Sequence, residues 1–170
     1  MKKLIIVALS IVIIMGIGIG NALAENSLIA KKIGISVGFV DTGDSIIDIT
    51  GKYLITDDIA LLAGFGLETH SGDADGSYFG LSLGVRKYLD TEDFALFIDG
   101  KVSYARQDVV GDTDTIDISG SFGAEYFLHE QFSVEASVGI GCGVEDNNVT
   151  NEDDVYFGTR TIGVKASFYF

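Results

Sequence analysis

The residues that could do chemistry are few and widely separated. The chain has two histidines, His70 and His129, and one cysteine, Cys142. His70 stands beside Ser71 with Asp73 close behind, the residue types of a hydrolytic triad. Neighbouring residues on a strand point to opposite faces, however, so His70 and Ser71 are not expected to meet. The stretches "DADG" from Asp73 and "DTDT" from Asp112 each have the look of a calcium-loop fragment, but neither is followed by the bidentate Glu at the required spacing. A lone cysteine supplies neither an intramolecular disulfide nor a thiolate metal set. No catalytic group, metal or cofactor is therefore expected. What remains is a set of acids and bases, Asp48, Lys52, Glu68, Arg86, Asp99, Lys101, Glu125, Glu135 and Lys165, each set in a run of alternating side chains. Such groups can act together only if the fold gathers them.

The elements that would gather them are strands. "KIGISVGFV" places Ile33, Ile35, Val37 and Phe39 on one face and Gly34, Ser36 and Gly38 on the other, and the same period of two recurs in "SIIDITGKYL", "ALLAGFGLE" and "YFGLSLGVR". It continues in "LFIDGKVSY", "IDISGSFGAEY", "SVEASVGIGCG" and "TIGVKASFYF", which makes eight strands. No segment after the N-terminal one has helical periodicity, and the chain contains 22 Gly and no Pro. Three connectors are tight ("TDD" near Asp57, "DTED" from Asp90, "HEQ" from His129). They alternate with longer acidic ones: "DTGDS", "THSGDADGS", "QDVVGDTDT" and "EDNNVTNEDD". Short turns at one end and long loops at the other are the habit of outer-membrane barrels, with the short turns periplasmic.

Lys2 and Lys3 precede an apolar run from Leu4 to about Ile19, and "NALA" then offers an A-x-A exit, so residues 1–24 are expected to be a signal peptide and 25–170 a single barrel domain. The formal charge is −14, and loss of both lysines makes the exported chain more negative still, which excludes nucleic acid as a partner.

Alternation alone leaves open which face meets water. A soluble periplasmic ligand-binding barrel would turn the apolar face inward. The polar face decides between them, because it is rich in Gly and Ser and carries charges of both signs close to balance. A small barrel lumen needs that mixture, since side chains must interleave to fill it and unpaired charges there are costly. The apolar face is accordingly expected to meet lipid. In this register Glu68 and Arg86 are expected to approach across neighbouring strands. Lys87 and Arg160 fall on the outward face near the two rims, where a long side chain can snorkel. Tyr53, Tyr104, Tyr126, Tyr156, Phe168 and Phe170 are the candidate interfacial aromatics, in a chain without Trp.

The stretch "GKYLITDDIALLAGFG", its echo "GVRKYLDTEDFALFIDG" and the last strand ending in Phe170 resemble the small eight-stranded outer-membrane barrels, the OmpA transmembrane domain, OmpX and opacity-type family. The resemblance runs from about Lys31 to Phe170. It implies an all-β, antiparallel, up-and-down transmembrane barrel, with Phe168 and Phe170 forming the signal read by the outer-membrane assembly machinery. No residue follows Phe170, so the cell-wall tethering of OmpA itself is not carried over. The expected function is that of an integral outer-membrane protein with a structural or surface-interaction role. Its expected partners are outer-membrane lipids, lipopolysaccharide and the assembly machinery, and it is expected to be a monomer. Three alternatives stand beside this reading: a lipid-modifying barrel enzyme, a small-solute channel and the soluble periplasmic barrel. A deacylase of this architecture resembles a His-x-Ser pair rather than adjacent residues, and a palmitoyltransferase-like barrel would carry an N-terminal amphipathic helix and proline-broken strands. The acidic loops suggest weak bridging of divalent cations to lipopolysaccharide.

Overall fold

Period-two alternation becomes eight antiparallel strands: β1 (Ile33–Asp41), β2 (Ser45–Leu54), β3 (Ile59–His70), β4 (Gly76–Tyr88), β5 (Phe94–Asp108), β6 (Asp112–His129), β7 (Phe132–Asn147) and β8 (Glu152–Tyr169). The computed structural model describes residues 33–41, 45–70, 76–90, 94–108, 112–129, 131–147 and 152–170. The segment 1–24 lies outside them. Each strand pairs with its sequence neighbours, and β1 pairs with β8 from Gly34↔Tyr169 to Val40↔Gly163, which closes the barrel. Closure leaves the paired part of the wall without a free strand edge.

Exposure settles the facing. Ile35 is 45% exposed, Leu83 69% and Val138 53%, whereas Lys52 is 2% exposed and Glu125 is fully buried. A water-soluble barrel would show the reverse. With apolar side chains outward and charges inward, the wall is built for a hydrocarbon surround. The apolar core of the interior is a small cluster at the short-turn end, where Leu54, Ala60, Tyr88, Ala95, Phe97, Phe127 and Tyr169 form a floor. Glycine makes room for its rings. A Cβ at Gly34 would lie 2.8 Å from the Tyr169 ring, and one at Gly123 would lie 2.5 Å from Phe97.

The strands are unequal. A tilted strand crosses a bilayer in about 9–11 residues. β1 and β2 have 9 and 10, but β5, β6, β7 and β8 have 15, 18, 16 and 18. Much of the acidic sequence expected in loops is therefore strand, and one side of the barrel rises past the other at the end away from the short turns. Above Gly163, β8 pairs with β7 and not with β1.

A bulge corrects one expectation. Ser137 pairs with Gly163, but Gly139 pairs with Arg160, so β8 carries an extra residue there and its alternation inverts. Below the bulge Val164 and Phe168 face out; above it Val155 and Phe157 do, at 78% and 76% exposure. Tyr156 consequently turns inward, where its hydroxyl donates to Asp117 at 3.1 Å, and is not an interfacial aromatic. The Arg160 side chain, expected on the outward face, lies outside those described. Lys87 does lie on the outward register, yet it is only 5% exposed and donates to Asp58 in the β2–β3 turn rather than reaching for solvent.

Candidate functional site

The lumen is filled by one polar cluster built from strands on all sides. Lys52 on β2 reaches across the barrel to β6 and β7, its Nζ 3.1 Å from both carboxylate oxygens of Glu125 and 2.6 Å from Glu135 Oε2. Arg86 on β4 makes the complementary span. Its Nε and Nη2 form a two-pronged contact with Asp99 on β5, at 2.8 and 2.9 Å, while Nη1 donates to Glu125 at 3.0 Å and to Glu135 at 2.6 Å. A planar guanidinium is suited to this fork, and it also lies over the Phe97 ring with its carbon 3.5 Å from the centroid. Glu125 sits at the centre, accepting further hydrogen bonds from Ser133 (2.5 Å), Tyr169 (2.6 Å) and Tyr88 (2.7 Å).

A second pair closes the lumen higher up, where Lys165 donates to Asp48 at 2.7 Å and to Thr50 at 3.1 Å. Lys101 packs across Gly84, where an added Cβ would lie 2.6 Å from its Cγ. Lys52, Arg86 and Lys165 thus bridge Glu125, Glu135, Asp99 and Asp48, while the further inward acid Asp117 accepts from Tyr156. Among the described residues every buried side-chain nitrogen and oxygen has a hydrogen-bond partner. Full satisfaction is what makes buried charge tolerable. The cavity left among Lys52, Arg86, Asp99, Lys101 and Glu135 is about 30 Å³, the share of one water molecule in the liquid.

Glu68 is not part of this cluster. On the β3–β4 ladder Arg86 is opposite Ala60, while Glu68 is opposite Tyr78, eight positions further along β3. At about 3.3 Å per residue that offset is roughly 26 Å, so the expected Glu68–Arg86 contact does not form and Asp99 takes its place. Sequence reading passed over Tyr88, Ser133, Ser167, Tyr169 and Phe97, which complete the cluster. Their signal was parity alone: Tyr88 shares a face with Arg86, and Tyr169 shares one with Lys165.

Residues considered for chemistry stay apart. His129 lies at the short-turn end and His70 at the far end of β3, while Ser71 and Asp73 fall outside the described residues. Among the described residues no three His, Cys, Asp or Glu side chains are grouped to hold a metal ion. Phe168 and Phe170, the expected assembly signal, are exposed and stacked edge to face at 5.1 Å, and the Phe170 N–H donates to the Ile33 carbonyl at the seam of the barrel.

No protein-family description matches the chain, and no curated protein matches it in sequence. Similarity is found among solved structures. The N-terminal β-barrel domain of OprF from Pseudomonas aeruginosa superimposes with a TM-score of 0.60 at 15% identity, over 83% of this chain and 98% of that one. The chain has the fold of the small eight-stranded outer-membrane barrels. The neisserial surface protein NspA agrees, with a TM-score of 0.54 at 13% identity over 82% of this chain and 94% of its own. At such identities the outer-membrane barrel likeness is one of architecture, and the side chains of the lumen are this chain's own.

Proposed function

We propose that the protein is a non-enzymatic integral barrel of the outer membrane of a diderm bacterium, with a structural or surface-interaction role. The observation that carries this reading is the filled lumen, in which Lys52, Arg86 and Lys165 bridge Asp48, Asp99, Glu125 and Glu135 across the wall above an apolar floor. A conducting barrel needs a continuous wet path, and eight strands leave an interior that side chains can fill. The short turns would be periplasmic and the extended β5–β8 wall external, its exposed Val155 and Phe157 offering contact area to a partner at the cell surface. Outer-membrane lipids and lipopolysaccharide would surround the barrel, and the assembly machinery would read Phe168 and Phe170. Reconstitution into planar bilayers tests the sealed state: no steady conductance is expected, and a stable open level would overturn it. Whole-cell binding to host or matrix proteins, with and without Val155→Ser and Phe157→Ser, separates a surface role from a structural one.

A further inference from the structure

The outer wall of the barrel carries a groove across β4 to β8. Val85, Gly100, Gly120, Ile140 and Thr159 are consecutive partners across β4, β5, β6, β7 and β8. At the middle of this row the outward side chains are missing. The result is a groove of about 470 Å³, floored by Gly100 and Gly120 and walled by Ile98, Phe122 and Val138. Nothing in the protein requires glycine there. A Cβ at Gly100 would meet no atom within 4 Å, one at Gly120 would meet only a backbone oxygen at 3.7 Å, and neither has a left-handed backbone. The inward glycines differ, since Gly123 and Gly34 are held to their size by neighbouring rings.

The groove has a direction. Strands of such barrels tilt by about 35–45°, so a row of partners climbs the wall obliquely. Val85 is close to the short-turn end of β4, while Thr159 is far up β8. Five strands at about 4.8 Å spacing give a path of roughly 19 Å. At its lower end stands Lys87, lining the groove, 5% exposed and held by Asp58. An ammonium carries three N–H donors, so a second anion can share it with Asp58.

We infer that this groove seats one phospholipid of the periplasmic leaflet, its phosphate at Lys87 and an acyl chain lying over Gly100 and Gly120 towards Ile140. This rests on the outer-membrane reading above. Charge complementarity selects the occupant, because the only cation among the described residues lining the groove is at headgroup depth on the side of the short turns, away from the leaflet that holds lipopolysaccharide. A second copy of the chain fits poorly. A two-fold axis would set groove against groove and enlarge the gap instead of filling it.

The test uses the full-length protein purified from membranes in mild detergent, stripped of lipid and titrated with palmitoyl-oleoyl phosphatidylethanolamine under native mass spectrometry. One lipid per barrel is expected. Filling the groove with Gly100→Leu and Gly120→Leu should weaken binding at least tenfold and Lys87→Gln at least threefold, while Gly51→Leu, on the lipid face of β2, should leave it unchanged. Equal binding by the parent and the groove-filled protein would overturn the proposal, as would a doubled mass that the same filling abolishes. Gel mobility before and after boiling is read in parallel. A heat-dependent shift without specific lipid binding removes the groove proposal alone, whereas a parent protein lacking the shift removes the barrel-in-membrane reading beneath it. Gly100→Leu alone serves if the double variant loses the shift.

Discussion

Lys52 and Glu125 lie 73 residues apart in sequence and on opposite walls of the barrel, yet their charged atoms meet at 3.1 Å in the middle of the lumen. Both are sealed from solvent, so the contact is a cross-brace between β2 and β6 that no backbone ladder supplies. Glu135 and Arg86 complete it and keep the charges matched.

Removing one member leaves its partners uncompensated. Lys52→Met should therefore destabilise the barrel by about 3–5 kcal/mol, the usual cost of orphaning a buried charge. Urea unfolding in lipid vesicles checks this. A loss below about 1 kcal/mol would show that Arg86 alone carries the neutralisation.

The partner of Arg86 is separable by double-mutant cycles. Arg86 with Asp99 should show a coupling of about 1–3 kcal/mol, as expected for a two-pronged contact within one network. Arg86 with Glu68 should be additive to within about 0.5 kcal/mol, because the ladder sets them far apart.

Glycine should matter on one face and not on the other. Gly123→Val would drive a side chain into Phe97 and the Ala136 carbonyl and should cost about 1–3 kcal/mol or more by overpacking. Gly100→Val meets open space and should leave stability within about 0.5 kcal/mol of the parent, or raise it. Equal losses at both positions would mean that backbone conformation, not lumen packing, selects these glycines.

The contrast between Gly123 and Gly100 also shows how far the sequence could be read. Facing was legible, because Ile33, Ile35 and Val37 against Gly34, Ser36 and Gly38 state it locally, and strand count and short turns followed from the same alternation. Contacts across the lumen were not. Lys52 and Glu125 share no ladder, so only the closed barrel brings them together. Glu68 was matched to Arg86 because both were inward on adjacent strands, a rule that fixes face but not height. The extra residue between Gly163 and Arg160 reversed the parity of Tyr156, and one inserted residue leaves no mark in an alternating pattern. Acidic stretches such as Glu145 and Asp146 read as loop by composition, yet they pair with Asp154 and Asp153 in the raised wall.

Acid should act on the barrel in part through the β2–β3 turn. Asp58 is partly buried, which raises its pKa, but hydrogen bonds from Lys87 and Thr56 outweigh that and hold the carboxyl below its ordinary value. Its backbone carbonyl also accepts from Tyr88 N–H at 2.7 Å, so the residue ties the turn to β4. Because the folded-state value lies below the unfolded one of about 3.9, protonation favours the unfolded chain. The stabilising contribution is complete above the unfolded value and is lost as pH falls through the lower, folded one. Urea midpoints measured from about pH 6 down to about pH 3 should decline more steeply for the parent than for Asp58→Asn, which has no carboxyl to titrate there. Parallel curves would assign the acid sensitivity to groups elsewhere in the chain and leave the Asp58–Lys87 pair a contact without consequence for stability.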